Sequence, residues 1–149
     1  MATVNAYVTF NGNCEEAFNF YKSNFGGEFQ YIGKFGDMPP SEDGKQVPEE
    51  DKNKVMHVSL PISKETILMG SDTGGEWASH FNQGNNVSLS INVDSKEEAD
   101  RLYKGLSDGG MQTMPMEETF WGAYFGMFTD KFGINWMINY DDPAKVQQQ

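Results

Sequence analysis

Two stretches of this chain, 82 positions apart, carry one pattern. In the first, Asn13 stands where a helix cap belongs, with Glu16 three residues on and Ala17, Phe18, Phe20, Tyr21 and Phe25 at helical spacing. Gly26 and Gly27 then supply the left-handed turn that ends a helix. In the second, Ser95 is followed by Glu98, Ala99, Leu102, Tyr103 and Leu106, and Gly109-Gly110 closes the run. A short strand-like segment precedes each cap, at 7–10 and at 89–93. A duplicated unit is therefore the strongest constraint on what this chain can become.

The segments around the helices complete the unit. Residues 4–10 are apolar and partly β-branched, ending at the turn Asn11-Gly12, and 29–35 form a second strand. Residues 36–53 carry Pro39, Pro40, Gly44 and Pro48 among acidic residues and are expected to be a long exposed loop. Strands at 55–61 and 66–70 make a hairpin, and the polar, Gly-rich run 71–86 links the halves. The order then repeats: strand 87–93, helix 96–106, strand 112–116, and a hairpin of 120–129 and 134–139 turned at 130–133, before a polar tail expected to fray. The expected fold is α+β: two βαβββ modules, at about 4–72 and 86–141 with a linker at 73–85, in a single domain of 149 residues. Packed edge to edge, such modules curl into a half-open mixed-sheet barrel with the helices outside and a concave face between them.

Charge narrows the partners. Against 11 Lys and Arg stand 22 Asp and Glu, a formal net charge of −11, and such a field repels phosphate backbones and anionic lipid. Nucleic acid and membrane surfaces are not expected partners. Cys14 is the sole cysteine, which excludes an internal disulfide and a thiolate zinc cluster and fits a reducing, cytoplasmic setting. Eleven Phe and nine Met exceed what a minimal core of this size needs, which points to a lined cavity or a well-filled core.

The segments Phe10-Asn11-Gly12-Asn13-x-Glu15-Glu16-Ala17, Phe20-Tyr21-x-x-x-Phe25-Gly26-Gly27, Leu68-Met69-x-Ser71-Asp72, Phe120-Trp121-Gly122 and Asp130-x-Phe132-Gly133-x-x-Trp136 carry a resemblance. In order and spacing the chain resembles the PhnB-like branch of the glyoxalase, bleomycin-resistance and dioxygenase (vicinal oxygen chelate) superfamily. The resemblance implies the paired βαβββ fold, usually as a homodimer, and in the enzymes a divalent metal held by His, Gln or Glu. Carried over, those ligand positions fall near Ala6, Leu68, Ser88 and Met137, and neither these nor their neighbours include His, Asp or Glu. No metal and no cofactor are therefore expected. The branch is also associated with a ubiquinone-related methyltransferase label, but the Gly-Gly pairs here follow helices instead of opening them, unlike a cofactor-cradling turn.

The remaining chemistry lies in a few side chains. His57, in the strand Met56-His57-Val58-Ser59-Leu60, is either a cavity base or hydrogen-bond donor, or a half-buried histidine tied to a neighbouring strand. Trp121 and Tyr124 flank the hairpin start near Gly122 and can stack on a flat ligand or pack at a dimer contact. Phe10, Leu68 and Met137 would wall a cavity if the ligand positions carry over. Ser88, Ser90 and Asn92 alternate with Leu89, Ile91 and Val93, which assigns the Leu-Ile-Val side to the helix and the small polar side to the concavity. On the first strand Val4, Ala6, Val8 and Phe10 oppose Tyr7 and Thr9; apolarity puts the Phe10 side on the helix, the family positions put it in the cavity, and both remain open. Cys14 begins a helix whose dipole lowers a thiol pKa, yet no histidine is near it in sequence. The function expected is binding of a small apolar or aromatic molecule without a metal. The alternative is a glyoxalase- or dioxygenase-type enzyme with a non-standard site that includes His57.

Overall fold

Both repeated stretches fold as helices. In the computed structural model, which describes residues 2–39, 44 and 46–144, α1 spans Cys14–Phe25 and α2 spans Lys96–Ser107. Each buries its repeated apolar stripe, Ala17, Phe18 and Tyr21 in α1 and Ala99, Leu102, Tyr103 and Leu106 in α2. Each large side chain so buried is worth ~1.5–3 kcal/mol.

The two helix starts differ. Ser95 is extended, and its Oγ accepts a bond from the Glu98 amide at 3.1 Å. The Glu98 carboxylate turns instead to Arg101, so the reciprocal half of the expected box is not made. Asn13, at φ −117° and ψ 24°, makes no side-chain cap bond. The job passes to Asp72: its Oδ1 accepts from the Gly12 and Cys14 amides and its Oδ2 from the Val55 amide, each at 2.9 Å. That carboxylate is buried and ties the helix start to two strands.

The strands are β1 (Tyr7–Phe10), β2 (Tyr31–Lys34), β3 (Val55–Pro61) and β4 (Ile67–Asp72), then β5 (Leu89–Asn92), β6 (Met111–Glu118), β7 (Ala123–Thr129) and β8 (Asn135–Asp141). They form two four-stranded sheets in the orders β1-β4-β3-β2 and β5-β8-β7-β6. In each sheet the strand before the helix runs parallel to the last strand, and the remaining pairs are antiparallel. This is βαβββ twice, each sheet mixed and open at its edges. The chain divides into compact units at Met1–Asn82 and Gln83–Gln149.

Register decides which side of each sheet meets its helix. Val8 lies opposite Gly70 and Phe10 opposite Asp72. A Cβ on Gly70 would come within 2.6 Å of the Val8 carbonyl and 2.7 Å of the Phe18 ring, so α1 covers the face that carries Val8, Phe10, Leu68 and Gly70. Phe10 meets Phe18 edge-on at 6.1 Å. Tyr7 and Thr9 face the other way, which settles the orientation of the first strand. In the second sheet Leu89 and Ile91 pair with the buried Trp136 and Ile138, while Ser90 and Asn92 are exposed on the opposite face.

A second buried carboxylate shapes the last hairpin. Asp130 accepts from the Phe132 amide (2.8 Å), the Ile134 amide (3.0 Å) and the Trp136 indole N–H (2.8 Å). The expected exposed loop at 36–53 is tied at its far end, where the Phe35 amide bonds the Lys54 carbonyl and the Gly36 amide the Lys52 carbonyl. There Asp51 is buried and paired with Lys54 at 2.8 Å. Residues 40–43 and 45 of that loop, and the tail at 145–149, lie outside the described residues. Among the described residues no helix is long and apolar enough to cross a membrane.

Candidate functional site

The face of the first sheet turned away from α1 collects polar and aromatic side chains by strand alternation. Tyr7 lies opposite Met69 and Thr9 opposite Ser71; Ser59 lies between Met69 and Tyr31; His57 lies opposite Gly33. Of these residues only His57 has a side chain that ionises to a cation, and none carries a carboxylate. In a chain of net charge −11 this patch is free of carboxylates.

His57 is its centre. The Tyr7 ring stacks on the imidazole at 5.6 Å between centroids and 29° between planes, and the Tyr31 ring approaches at 6.0 Å and 34°. His57 Nδ1 lies 3.3 Å from Tyr7 Oη, and Nε2 lies 3.0 Å from Ser59 Oγ. Tyr7 and Tyr31 are 49% and 48% exposed, whereas Ser59 is 8% exposed, so the chain of three polar groups runs from the sheet interior to the surface. Tyr31 is placed by a missing atom. A Cβ on Gly33 would lie 2.3 Å from the Tyr31 hydroxyl, so the ring lies down over Gly33 toward His57 because nothing projects there.

The roles of the two ring nitrogens in these contacts depend on the tautomer. Among the described residues Ser59 Oγ has His57 Nε2 as its hydrogen-bond partner. With the Ser59 O–H donating to Nε2, the imidazole proton resides on Nδ1. Nδ1–H then donates to Tyr7 Oη.

The other candidates are distributed elsewhere. Phe10 and Leu68, 3% exposed, pack in the core beneath α1. Tyr124 turns toward α2, its hydroxyl donating to Asp100 at 2.6 Å and its ring lying under Lys96 Nζ at 5.3 Å. That bond, with burial, pushes the Tyr124 phenol up to about 12. Trp121 is 53% exposed and meets the 98% exposed Phe120 edge-on at 5.0 Å. Ser90 and the half-buried Met137 are register partners on the face of the second sheet turned away from α2, and Ser88 is exposed just before β5. The space over Gly126 is taken by Met116 and by Tyr103 of α2. Cys14 is wholly buried, and burial, with Asp72 and Glu15 nearby, raises its thiol pKa instead of lowering it. Of the eight sequence candidates, only His57 lies in the Tyr7, Tyr31 and Ser59 cluster. Ser59 and Tyr7 were signalled only by period-two alternation around His57 and opposite Val8 and Phe10, and Tyr31 carried no such signal.

The family described as 3-demethylubiquinone-9 3-methyltransferase matches residues 2–139. The chain belongs to that family. Among its relatives, Protein YjdN of Escherichia coli (strain K12) is 33% identical over 141 residues, covering 89% of this chain and 91% of its own. Protein PA1353 from Pseudomonas aeruginosa is 40% identical, with a TM-score of 0.79 over 95% of this chain and 98% of that one. A glyoxalase-related enzyme from Fulvimarina pelagi shares the fold at 16% identity, with a TM-score of 0.60 over 99% and 96% of the two chains. That likeness is one of fold.

Neither group suggested by these relationships fits the residues present. For a divalent metal, the register pairs Tyr7–Met69 and Ser90–Met137, facing away from the helices, offer phenol, hydroxyl and two thioethers, and Asp141, bonded to Asn139, is the one carboxylate that shares these faces on the first and last strands. Among the described residues no three His, Cys, Asp or Glu side chains are grouped to hold an ion. For a sulfonium methyl donor, the natural seat for its carboxylate is a helix N-terminus. At α1 the Asp72 carboxylate already fills that seat, and α2 is capped by Ser95 with Glu97 and Glu98 in its first turn.

Proposed function

We propose that this protein binds a small apolar or aromatic molecule, without a metal, against the His57 face of its first sheet. The observation that carries this reading is the cluster itself: two half-exposed tyrosine rings flank one imidazole on a patch free of carboxylates. Aromatic faces contribute large area at low entropic cost, and a few placed polar groups orient what they hold. Ser90 and Met137 are proposed as a second ligand-facing surface, on the second sheet. A homodimer in the reducing cytoplasm completes the proposal, supported by the exposed Phe120 and Trp121 rings, the exposed Met111 and Met114 on edge strand β6, and the lone buried Cys14.

The test is a titration with naphthalene-ring probes followed by NMR of the His57 imidazole. Saturable shifts at His57 that vanish in His57→Ala support the reading; absence of any saturable shift with every probe overturns it. A second reading, catalysis of glyoxalase or dioxygenase type at His57, is favoured by the polar chain that ends at a half-exposed phenol. Turnover of a glyoxal-thiol adduct or a catechol by the native protein, lost in His57→Ala, would support catalysis; no turnover removes it.

A further inference from the structure

We infer that Tyr7 is the residue that selects the ligand: its phenolic O–H is held for donation to an acceptor oxygen, so the molecule bound is a planar conjugated carbonyl compound and not a plain hydrocarbon. The inference rests on the binding site proposed above and adds the ligand's chemical class.

The argument follows the protons. Ser59 is 8% exposed and its Oγ lies 3.0 Å from His57 Nε2, and we assign the hydroxyl as the donor there. The imidazole proton therefore sits on Nδ1, 3.3 Å from Tyr7 Oη, and is donated there. A phenol oxygen that accepts one bond keeps its own O–H for another partner. Among the described residues the Tyr7 hydroxyl has His57 as its hydrogen-bond partner. The ring is 49% exposed, so the O–H is available to a ligand. Because each donor in the series is polarised by the one behind it, the last O–H is a better donor than an isolated phenol.

The surroundings favour a neutral, flat acceptor. Tyr31, laid over Gly33, offers a ring on the other side of the imidazole, and Met69 lies opposite Tyr7 on the next strand. Thr9, Ser59, Ser71 and Met69 supply no cation that would reward a carboxylate or phosphate. A carbonyl oxygen conjugated to an aromatic ring accepts from Tyr7 while its plane stacks.

The experiment compares naphthalene with 2-acetylnaphthalene, which differ by one carbonyl group, on native protein, Tyr7→Phe and Ser59→Ala, with thermal unfolding of each variant as the check on folding. The expected result is ~10-fold tighter binding of the ketone than of naphthalene by the native protein, a preference lost in Tyr7→Phe. Long-range proton-nitrogen NMR is expected to place the imidazole proton on Nδ1, and Ser59→Ala to shift it toward Nε2 and reduce the preference for the ketone. Equal affinity for both probes, or a ketone preference that survives in folded Tyr7→Phe, overturns the inference while leaving the binding site standing. A proton found on Nε2 in the native protein overturns it as well. If neither probe binds, the site and the inference fall together.

Discussion

Two glycines in the first sheet show how much depends on one absent methyl group. Gly70 lies against backbone and core: a Cβ there would be 2.6 Å from the Val8 carbonyl and 2.7 Å from the Phe18 ring. Gly33 lies under the far end of a side chain, the Tyr31 hydroxyl. Gly70→Ala is therefore expected to cost ~1–3 kcal/mol, read as a lower urea midpoint, because neither the β1 backbone nor the α1 core can yield cheaply. Gly33→Ala is expected to leave that midpoint within ~0.5 kcal/mol and instead to weaken probe binding, because Tyr31 swings off the imidazole. Equal destabilisation by both would mean that the tyrosine is wedged in place and not merely laid there.

The helices of the two units look alike in sequence and are started by different chemistry. Ser95 caps α2 with its own side chain, while α1 borrows Asp72 from the end of β4, 58 residues beyond Cys14. Ser95→Ala should cost ~1 kcal/mol and Asn13→Ala under ~0.5 kcal/mol, since the latter removes no cap bond. Asp72→Ala should cost ~3 kcal/mol or more, because it leaves three backbone N–H groups at Gly12, Cys14 and Val55 without their acceptor. Urea unfolding of the three variants checks the order. A cost for Asn13→Ala as large as that for Ser95→Ala would contradict the assignment. The duplication was legible at this scale because helical period survives in the sequence; the division of capping labour was not, because Asp72 reaches the helix only after β4 pairs with β1.

For the whole molecule, the titrating groups with raised pKa values set an alkaline limit. Tyr124 is pushed up to about 12 by its bond to Asp100, Tyr103 is raised by burial, and the Cys14 thiol is raised by burial and nearby carboxylates. Unfolded tyrosines titrate near 10.0, so above that pH the unfolded chain releases protons that the folded chain retains. Stability from the tyrosines is complete below pH ~10 and drains away as the pH rises toward 12. Urea unfolding at pH 8, 10 and 11 should show that fall, and Tyr124→Phe should flatten part of it; a fall of equal slope in the variant would remove Tyr124 from the account. Much of this architecture could be read before any coordinates. Repeated apolar spacing, paired glycines and turn residues act over a few positions, so the α+β class and both helices were determined by the sequence itself. Strand orientation and the site were not. Val8 and Tyr7 are both plausible inward residues until β4 pairs in register and Phe18 comes down on Gly70, and only then do Phe10 and Leu68 become core. Tyr7, Tyr31, His57 and Ser59 come from three strands, and their proximity is a product of sheet pairing, a long-range event that no local spacing encodes.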